Sequence, residues 1–169
     1  MYDAQNHGII KRAGSGPAIR IWEASEVFVK QVSIFLENTK GSLKKVTQLL
    51  RENGIDLIAL SIADTRDFGI LRTIVSDTEK AVEIVRNAGY AVKLTDVLAV
   101  AVPDRPGGLD DVLDLLDEHD IAIEYLYSFV RTSGDHALII FRVENLEAAS
   151  EALTKAGIQL LMQEQVRTL

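Results

Sequence analysis

Between residues 31 and 36 apolar and other positions alternate, Val32, Ile34 and Leu36 against Gln31, Ser33 and Phe35. A period of two belongs to a strand, here with both faces partly covered, and it predicts one over about 27–37. After Asn38-Thr39-Lys40-Gly41 the period changes. Leu43, Val46, Leu49 and Leu50 recur at helical spacing, Ser42 is placed to cap, and Asn53-Gly54 ends the helix. Residues 55–63 then read as a second strand, 64–67 as a turn, and 68–75 as a third strand antiparallel to the second. Asp77 precedes a second helix carrying Ala81, Val82, Val85 and Ala88 on one stripe, Gly89 stops it, and 91–94 give a fourth strand. The order is βαββαβ.

The chain then repeats itself. Gly41, Leu43, Val46, Leu49, Leu50, Glu52, Ile55 and Leu60 recur 66 residues on as Gly107, Leu109, Val112, Leu115, Leu116, Glu118, Ile121 and Leu126. Past an insertion near Ser133 and Gly134 the offset becomes 68, and Val75, Glu79, Glu83, Ala88 and Gly89 meet Val143, Glu147, Glu151, Ala156 and Gly157. The second copy therefore has strands near 97–102, 121–130, 136–143 and 158–162 and helices near 109–119 and 146–156. Right-handed crossovers with both helices on one face make each copy a ferredoxin-like α+β unit, over 27–95 and 96–169. A unit this small has a marginal core of its own, so the copies should bury surface against each other. The edges 57–63 and 123–129 carry no Pro or Lys to deter pairing. Joined there, the units form an eight-stranded antiparallel sheet with four helices on one face. Its other face, bearing Phe35, Val100 or their neighbours, then needs cover, and a homodimer supplies it. Residues 1–26 fit neither copy and are expected to be a flexible or adventitious leader.

Composition removes whole classes of function. The chain is 47% hydrophobic and 25% charged, with net charge −7 and no cysteine. Thiolate metal sites, disulfides and cysteine nucleophiles are excluded, and a phosphate-tracking nucleic-acid surface is not expected at this charge. No apolar run approaches the roughly 18 residues of a membrane span, and the cytoplasm is the expected compartment. Residues 30–95 hold ten basic and eight acidic groups, residues 96–169 five and fourteen. Asp110, Asp111, Asp114 and Asp117 read as a solvated acidic face, with no metal or cofactor expected; the alternative is pairing with the basic first helix of the other copy. His7, His119 and His136 are scattered and form no triad, and no phosphate-binding glycine motif is present, so no catalytic residue is assigned.

The informative feature is the turn that opens the first helix of each copy, Asn38-Thr39-Lys40-Gly41-Ser42-Leu43 and Asp104-Arg105-Pro106-Gly107-Gly108-Leu109. A helix start offers backbone N–H groups and a partial positive charge, and a residue without Cβ lets a carboxylate approach them. Asn38 or Asp104 could accept from an ammonium, so a zwitterionic amino acid suits the turn better than a phosphate; relief of turn strain is the other use for such a glycine. Tyr125 and Tyr127 share one side of their strand, either as the floor of an apolar pocket or as cover for a sheet face. Asp64, Asp67 and Arg72 cluster at the first hairpin, either as an ion pair that holds the turn or as contacts to a ligand.

The βαββαβ unit with Asn/Asp-x-x-Gly-x-Leu after its first strand resembles the ACT domain, a regulatory module that binds amino acids. Residues 30–163 are similar to free-standing bacterial tandem-ACT proteins, including Leu60-Ser61-Ile62-Ala63-Asp64-Thr65, Asp67-Phe68-Gly69-Ile70-Leu71-Arg72 and Thr95-Asp96-Val97-Leu98-Ala99-Val100. The resemblance implies a ligand site where the turn of one unit meets the second strand of the other. One such site would join Asn38, Lys40, Gly41, Ser42 and Leu43 to Tyr125 and Tyr127. The other would join Asp104, Pro106, Gly107, Gly108 and Leu109 to Ser61 and Ala63, with Asp64 beside them. The resemblance thus implies a non-catalytic sensor of an amino acid that regulates a partner enzyme or pathway; the bare sheet face adds a homodimer, and charge and hydropathy leave neither nucleic acid nor membrane as partner. The alternatives are a purely structural interaction subunit and, further off, an acylphosphatase-like hydrolase.

Overall fold

In the computed structural model residues 27–64, 68–129 and 136–168 are described; the expected leader and the tips of two hairpins lie outside them. The elements run β1 (Val29–Glu37), α1 (Ser42–Glu52), β2 (Leu57–Asp64), β3 (Phe68–Val75), α2 (Thr78–Asn87), β4 (Val92–Pro103), α3 (Gly108–Glu118), β5 (Ile123–Ser128), β6 (His136–Val143), α4 (Leu146–Lys155), β7 (Leu160–Leu161) and α5 (Gln163–Arg167). Side chains cap α2 and α4, Asp77 Oδ1 accepting from the Lys80 amide and Asn145 Oδ1 from that of Ala148, both at 3.0 Å. Gly41 and Gly107 instead stand at the starts of α1 and α3. Ser42, expected as a cap, is thus the first helical residue, and its hydroxyl meets that of Thr39 at 2.7 Å.

The described residues form seven strands rather than eight, in the order β2-β3-β1-β4-β6-β5 with β7 also on β4. The missing strand is a fusion. Thr95-Asp96, between the expected fourth strand of one unit and first strand of the next, contains neither Gly nor Pro, and β4 runs through it unbroken. Its first part pairs with β1 and its second with β6 and β7. The count of helices is corrected too. A fifth, α5, follows β7, with Gln165 Oε1 accepting from the Met162 amide at 2.8 Å.

The four long helices pack on one face of the sheet, which is curled rather than flat. Val32, Ile34 and Leu36 of β1 pack with Val46 and Leu50 of α1 and Ala81 and Val85 of α2. Leu98, Val100 and Val102 of β4 pack with Val112 and Leu116 of α3 and Ala149 and Leu153 of α4. The alternate positions build a third core that takes nothing from those helices: Val29, Ile58, Ala59, Ile74, Val97, Ala99, Ala101, Tyr127, Phe129, Leu138, Ile140 and Leu161, closed by Val166 of α5. The sheet curls so that its two halves face each other, and each aliphatic side chain buried between them contributes about 1.5–3 kcal/mol. The face expected to need a second copy is covered within the chain around Val97, Ala99 and Ala101, whereas Phe35 on it stays 40% exposed, and Val100 points to the helices instead. Acidic α3 packs with α4, and basic α1 with α2, so those two charged helices are not neighbours. Among the described residues the edges β2 and β5 meet through one antiparallel bridge, Ala59 to Phe129 just past β5, rather than along a ladder. A bulge interrupts each edge strand, at Leu57/Ala59 and at Ile123/Tyr125.

Candidate functional site

Both helix-opening glycines have left-handed backbone, φ 91° at Gly41 and 84° at Gly107, and neither helix start has a side-chain cap. The turn itself takes the first helical amide of each, Ser42 N–H donating to the Thr39 carbonyl at 3.2 Å and Gly108 N–H to that of Arg105 at 3.0 Å. A Cβ on Gly41 would meet nothing within 4 Å, and one on Gly107 only Arg105 Nη1 at 3.6 Å, so the space over both turns is open. Gly108 is different. A Cβ there would fall 2.0 Å from the Pro103 carbonyl oxygen, so α3 sits tight against the end of β4. Asn38, Lys40, Asp104 and Pro106 are exposed, as is Leu43, while Ser42 and Leu109 are half-buried. Arg105 pairs with Asp111 on the first turn of α3.

Tyr125 and Tyr127 reach across to the opposite half of the sheet. Tyr127 is buried and donates its hydroxyl to Gln31 Oε1 at 3.0 Å, while Gln31 Nε2 donates to Tyr125 Oη at 2.9 Å and Ser33 Oγ at 3.0 Å. Burial, and less so the neighbouring Tyr125, pushes the Tyr127 phenol far above its ordinary range, against a small opposing pull from Arg72. The Arg72 guanidinium lies over the Tyr125 ring, 4.1 Å from its centroid. Gln31 stands six residues before Glu37, about 20 Å up β1 from the glycine turn at strand rise. The hydroxyls of the two tyrosines are thus spent inside the sheet, away from that turn.

Ser61, half-buried, and Ala63, exposed, lie along β2 on the edge that faces β5. Asp64 ends β2; its side chain, and Asp67 entirely, lie outside the described residues, and with them the expected cluster around Arg72. His119 is the C-cap of α3, with Nδ1 2.9 Å from the Leu115 carbonyl, and His136 is exposed at the start of β6. Among the described residues no group of three His, Cys, Asp or Glu is placed to hold a metal ion, and no helix is long and apolar enough to cross a membrane. Two open depressions, one against α2 and Leu94, the other between α3 and Ile121–Ile123, include none of the expected ligand residues.

Gln31 and Arg72 are the members of this constellation that sequence reasoning undervalued. A signal was present: the repeat sets Gln31 against Val97 and Arg72 against Ile140, polar against apolar at one position of the fold.

A family model described as an ACT domain pair matches residues 27–169. The crystal structure of a Bacteroides thetaiotaomicron protein is 39% identical over 85% of this chain and 98% of its own, with TM-score 0.80. The regulatory subunits of aspartate kinase from Thermus thermophilus and Thermus flavus, each 18% identical, share the fold at TM-scores 0.56 and 0.54. They cover 75% and 76% of this chain and 91% and 92% of their own. Among curated protein sequences, none matches.

Proposed function

The chain belongs to the ACT domain pair family, and from that premise we propose that it is a non-catalytic sensor which binds an amino acid between its two ACT units, 27–95 and 96–169, and regulates a partner enzyme. The observation that carries this reading is the contrast between helix starts. α2 and α4 have side-chain caps, whereas α1 and α3 open on left-handed glycine with clear space above. An amino-acid carboxylate completes such a start, and Asn38 or Asp104 at the head of the turn suits the ammonium. Ser61 and Ala63 on β2 supply the facing edge, while Tyr125, bonded to Gln31, stays inside the sheet away from the turn of the first unit. Tyr127, like Tyr125, is bonded to Gln31 and ties β5 to β1 across the units. Occupancy shifts the relative placement of the units, with a coupling of about 1–3 kcal/mol available to a partner. Self-association now rests on the exposed Leu60, Ile62 and Phe68 of the β2–β3 hairpin rather than on a bare sheet face.

Thermal denaturation with each of the twenty amino acids tests the reading. A ligand at a hundred times its Kd stabilises the folded chain by about 2.7 kcal/mol. Gly41→Asn and Gly107→Asn, which tolerate left-handed backbone but put a side chain over the amides, should abolish that stabilisation at little cost to the fold. Gly107→Val is the poorer probe, because a β-branched residue at this φ strains the fold itself. No response to any amino acid at millimolar concentration would refute the sensor and leave a structural subunit.

A further inference from the structure

The two halves differ most where their sheets face each other. On the inner face of the first half Ser61, Arg72, Ser33 and Lys93 stand in one row across β2, β3, β1 and β4, each in register with the next. The same row of the second half reads Tyr127, Ile140, Ala99 and Leu161, all buried. Two cations and two hydroxyls occupy positions that in the sister copy form dry core. Polar groups facing a sheet interior carry a desolvation cost unless something satisfies them. Gln31 satisfies Ser33. The Arg72 guanidinium carbon lies over the Tyr125 ring, 4.1 Å from its centroid, and a contact through the ring uses none of the five N–H donors. Among the described residues neither Arg72 nor Lys93 has a carboxylate partner.

The next row outward is apolar, Ala63, Ile70 and Phe35 in register, and Phe35 is 40% exposed. Ser33 is buried, Ser61 and Arg72 are half-buried and Lys93 is exposed, so the row opens from the sheet interior to water and the desolvation cost falls on Arg72 rather than Lys93. We infer that this row is a binding site for a small carboxylate with an apolar body, Arg72 taking the carboxylate in its planar fork and Phe35 with Ile70 receiving the body. A guanidinium fixed by stacking is pre-oriented for two parallel hydrogen bonds. Lys93, about 10 Å along the row by two strand spacings, adds attraction without contact. The site lies at the same seam as the amino-acid site but needs neither glycine turn, so the two readings fail separately.

The test uses the full chain and 4-methylpentanoate, which has no ammonium, with 4-methylpentanamide as its neutral isostere. Calorimetric titration should show saturable binding of the acid and at least tenfold weaker binding of the amide. Arg72→Gln should weaken the acid by roughly ten- to a hundred-fold, as loss of a charge-assisted pair does. Arg72→Lys keeps the charge and should recover part of that loss, and the Arg72 Nε–H resonance should move on titration. Phe35→Ser, at an exposed position, should erase the preference for 4-methylpentanoate over acetate, and Gly107→Asn should change nothing. Absence of binding to wild type, equal binding by Arg72→Gln, tighter binding of inorganic phosphate, or loss on Gly107→Asn would each overturn the site.

Discussion

Gln31→Leu tests whether the two halves are tied by specific hydrogen bonds or merely by apolar contact. The substitution keeps a side chain of similar length but leaves the buried Tyr127 hydroxyl without its acceptor at 3.0 Å. An orphaned hydroxyl costs about 1–3 kcal/mol, and the extra apolar area of leucine offsets only a fraction of that. We expect a net loss of about 2 kcal/mol. Tyr127→Phe alone orphans Gln31 Oε1 and should cost about 1–2 kcal/mol by the same reasoning. The double variant removes both partners together, so its loss should fall well below the sum, with a coupling of at least about 1 kcal/mol. Tyr125 is only partly buried, and its hydroxyl can turn to water when Gln31 is gone. Urea denaturation followed by both circular dichroism and fluorescence measures each corner, with coincident transitions and constant m as the check on two-state behaviour. Additivity within about 0.5 kcal/mol would refute a hydrogen-bonded tie and reduce the cluster to packing.

Gly108→Ala should destabilise by about 3 kcal/mol or more, although alanine is ordinarily the better helix former, because its Cβ would sit 2.0 Å from the Pro103 oxygen; a neutral result in denaturant would show that β4 and α3 part easily. Tyr127 has its folded pKa raised, so its contribution is fully present below the unfolded value near 10 and is lost as pH climbs past it. Stability should therefore fall above about pH 10 by up to about 1.4 kcal/mol per unit, and Tyr127→Phe should remove that slope. Asp77→Ala and Asn145→Ala should each cost about 1 kcal/mol as lost caps, read from melting curves. Asp111→Asn, which breaks an exposed pair with Arg105, should change stability by less than about 0.5 kcal/mol.

Local signals were legible where one residue decides one event. Phe68–Val75 and His136–Val143 are strands with the bounds that the turn before the one and the repeat behind the other predict, and Asp77 caps the helix it precedes. The join between the copies was hidden for a physical reason. Whether two collinear strands fuse depends on a breaker being present, and the unobtrusive Thr95-Asp96 is not one. The curl was hidden too, since period two tells which side chains share a face but not whether that face meets helices, solvent or another sheet. Val97, Ala99 and Ala101 have the small size that sheet-on-sheet packing uses, and that was the available hint. Of the site, the glycine turns were visible as sequence and their left-handed backbone is a consequence of the residue type. The role of Gln31 was not, because a lone glutamine in a strand reads as solvent-facing until its partners, more than ninety residues away, are known.

The unequal joints between the halves say where a ligand can act. Along β4 the units share one continuous backbone, and displacing one from the other there would break ladder pairs with β1 and β6 together. Along β2 and β5 the described residues share one bridge, flanked by bulges, and beyond it side-chain contacts such as Arg72 on Tyr125. Such contacts are worth about 0.5–2 kcal/mol, the range over which small-molecule couplings operate. The β2–β5 seam is therefore the joint with the fewest backbone ties, and a ligand there can drive a displacement small enough to keep the core between the halves closed. A molecule bound at that seam acts on it directly, whereas one in the depression beside α2 or α3 would have to work through a packed core. Disulfide cross-linking across the bridge, Ala59→Cys with Phe129→Cys, should fix the seam and leave ligand affinity independent of any partner protein; unchanged coupling in the cross-linked chain would place the moving joint elsewhere.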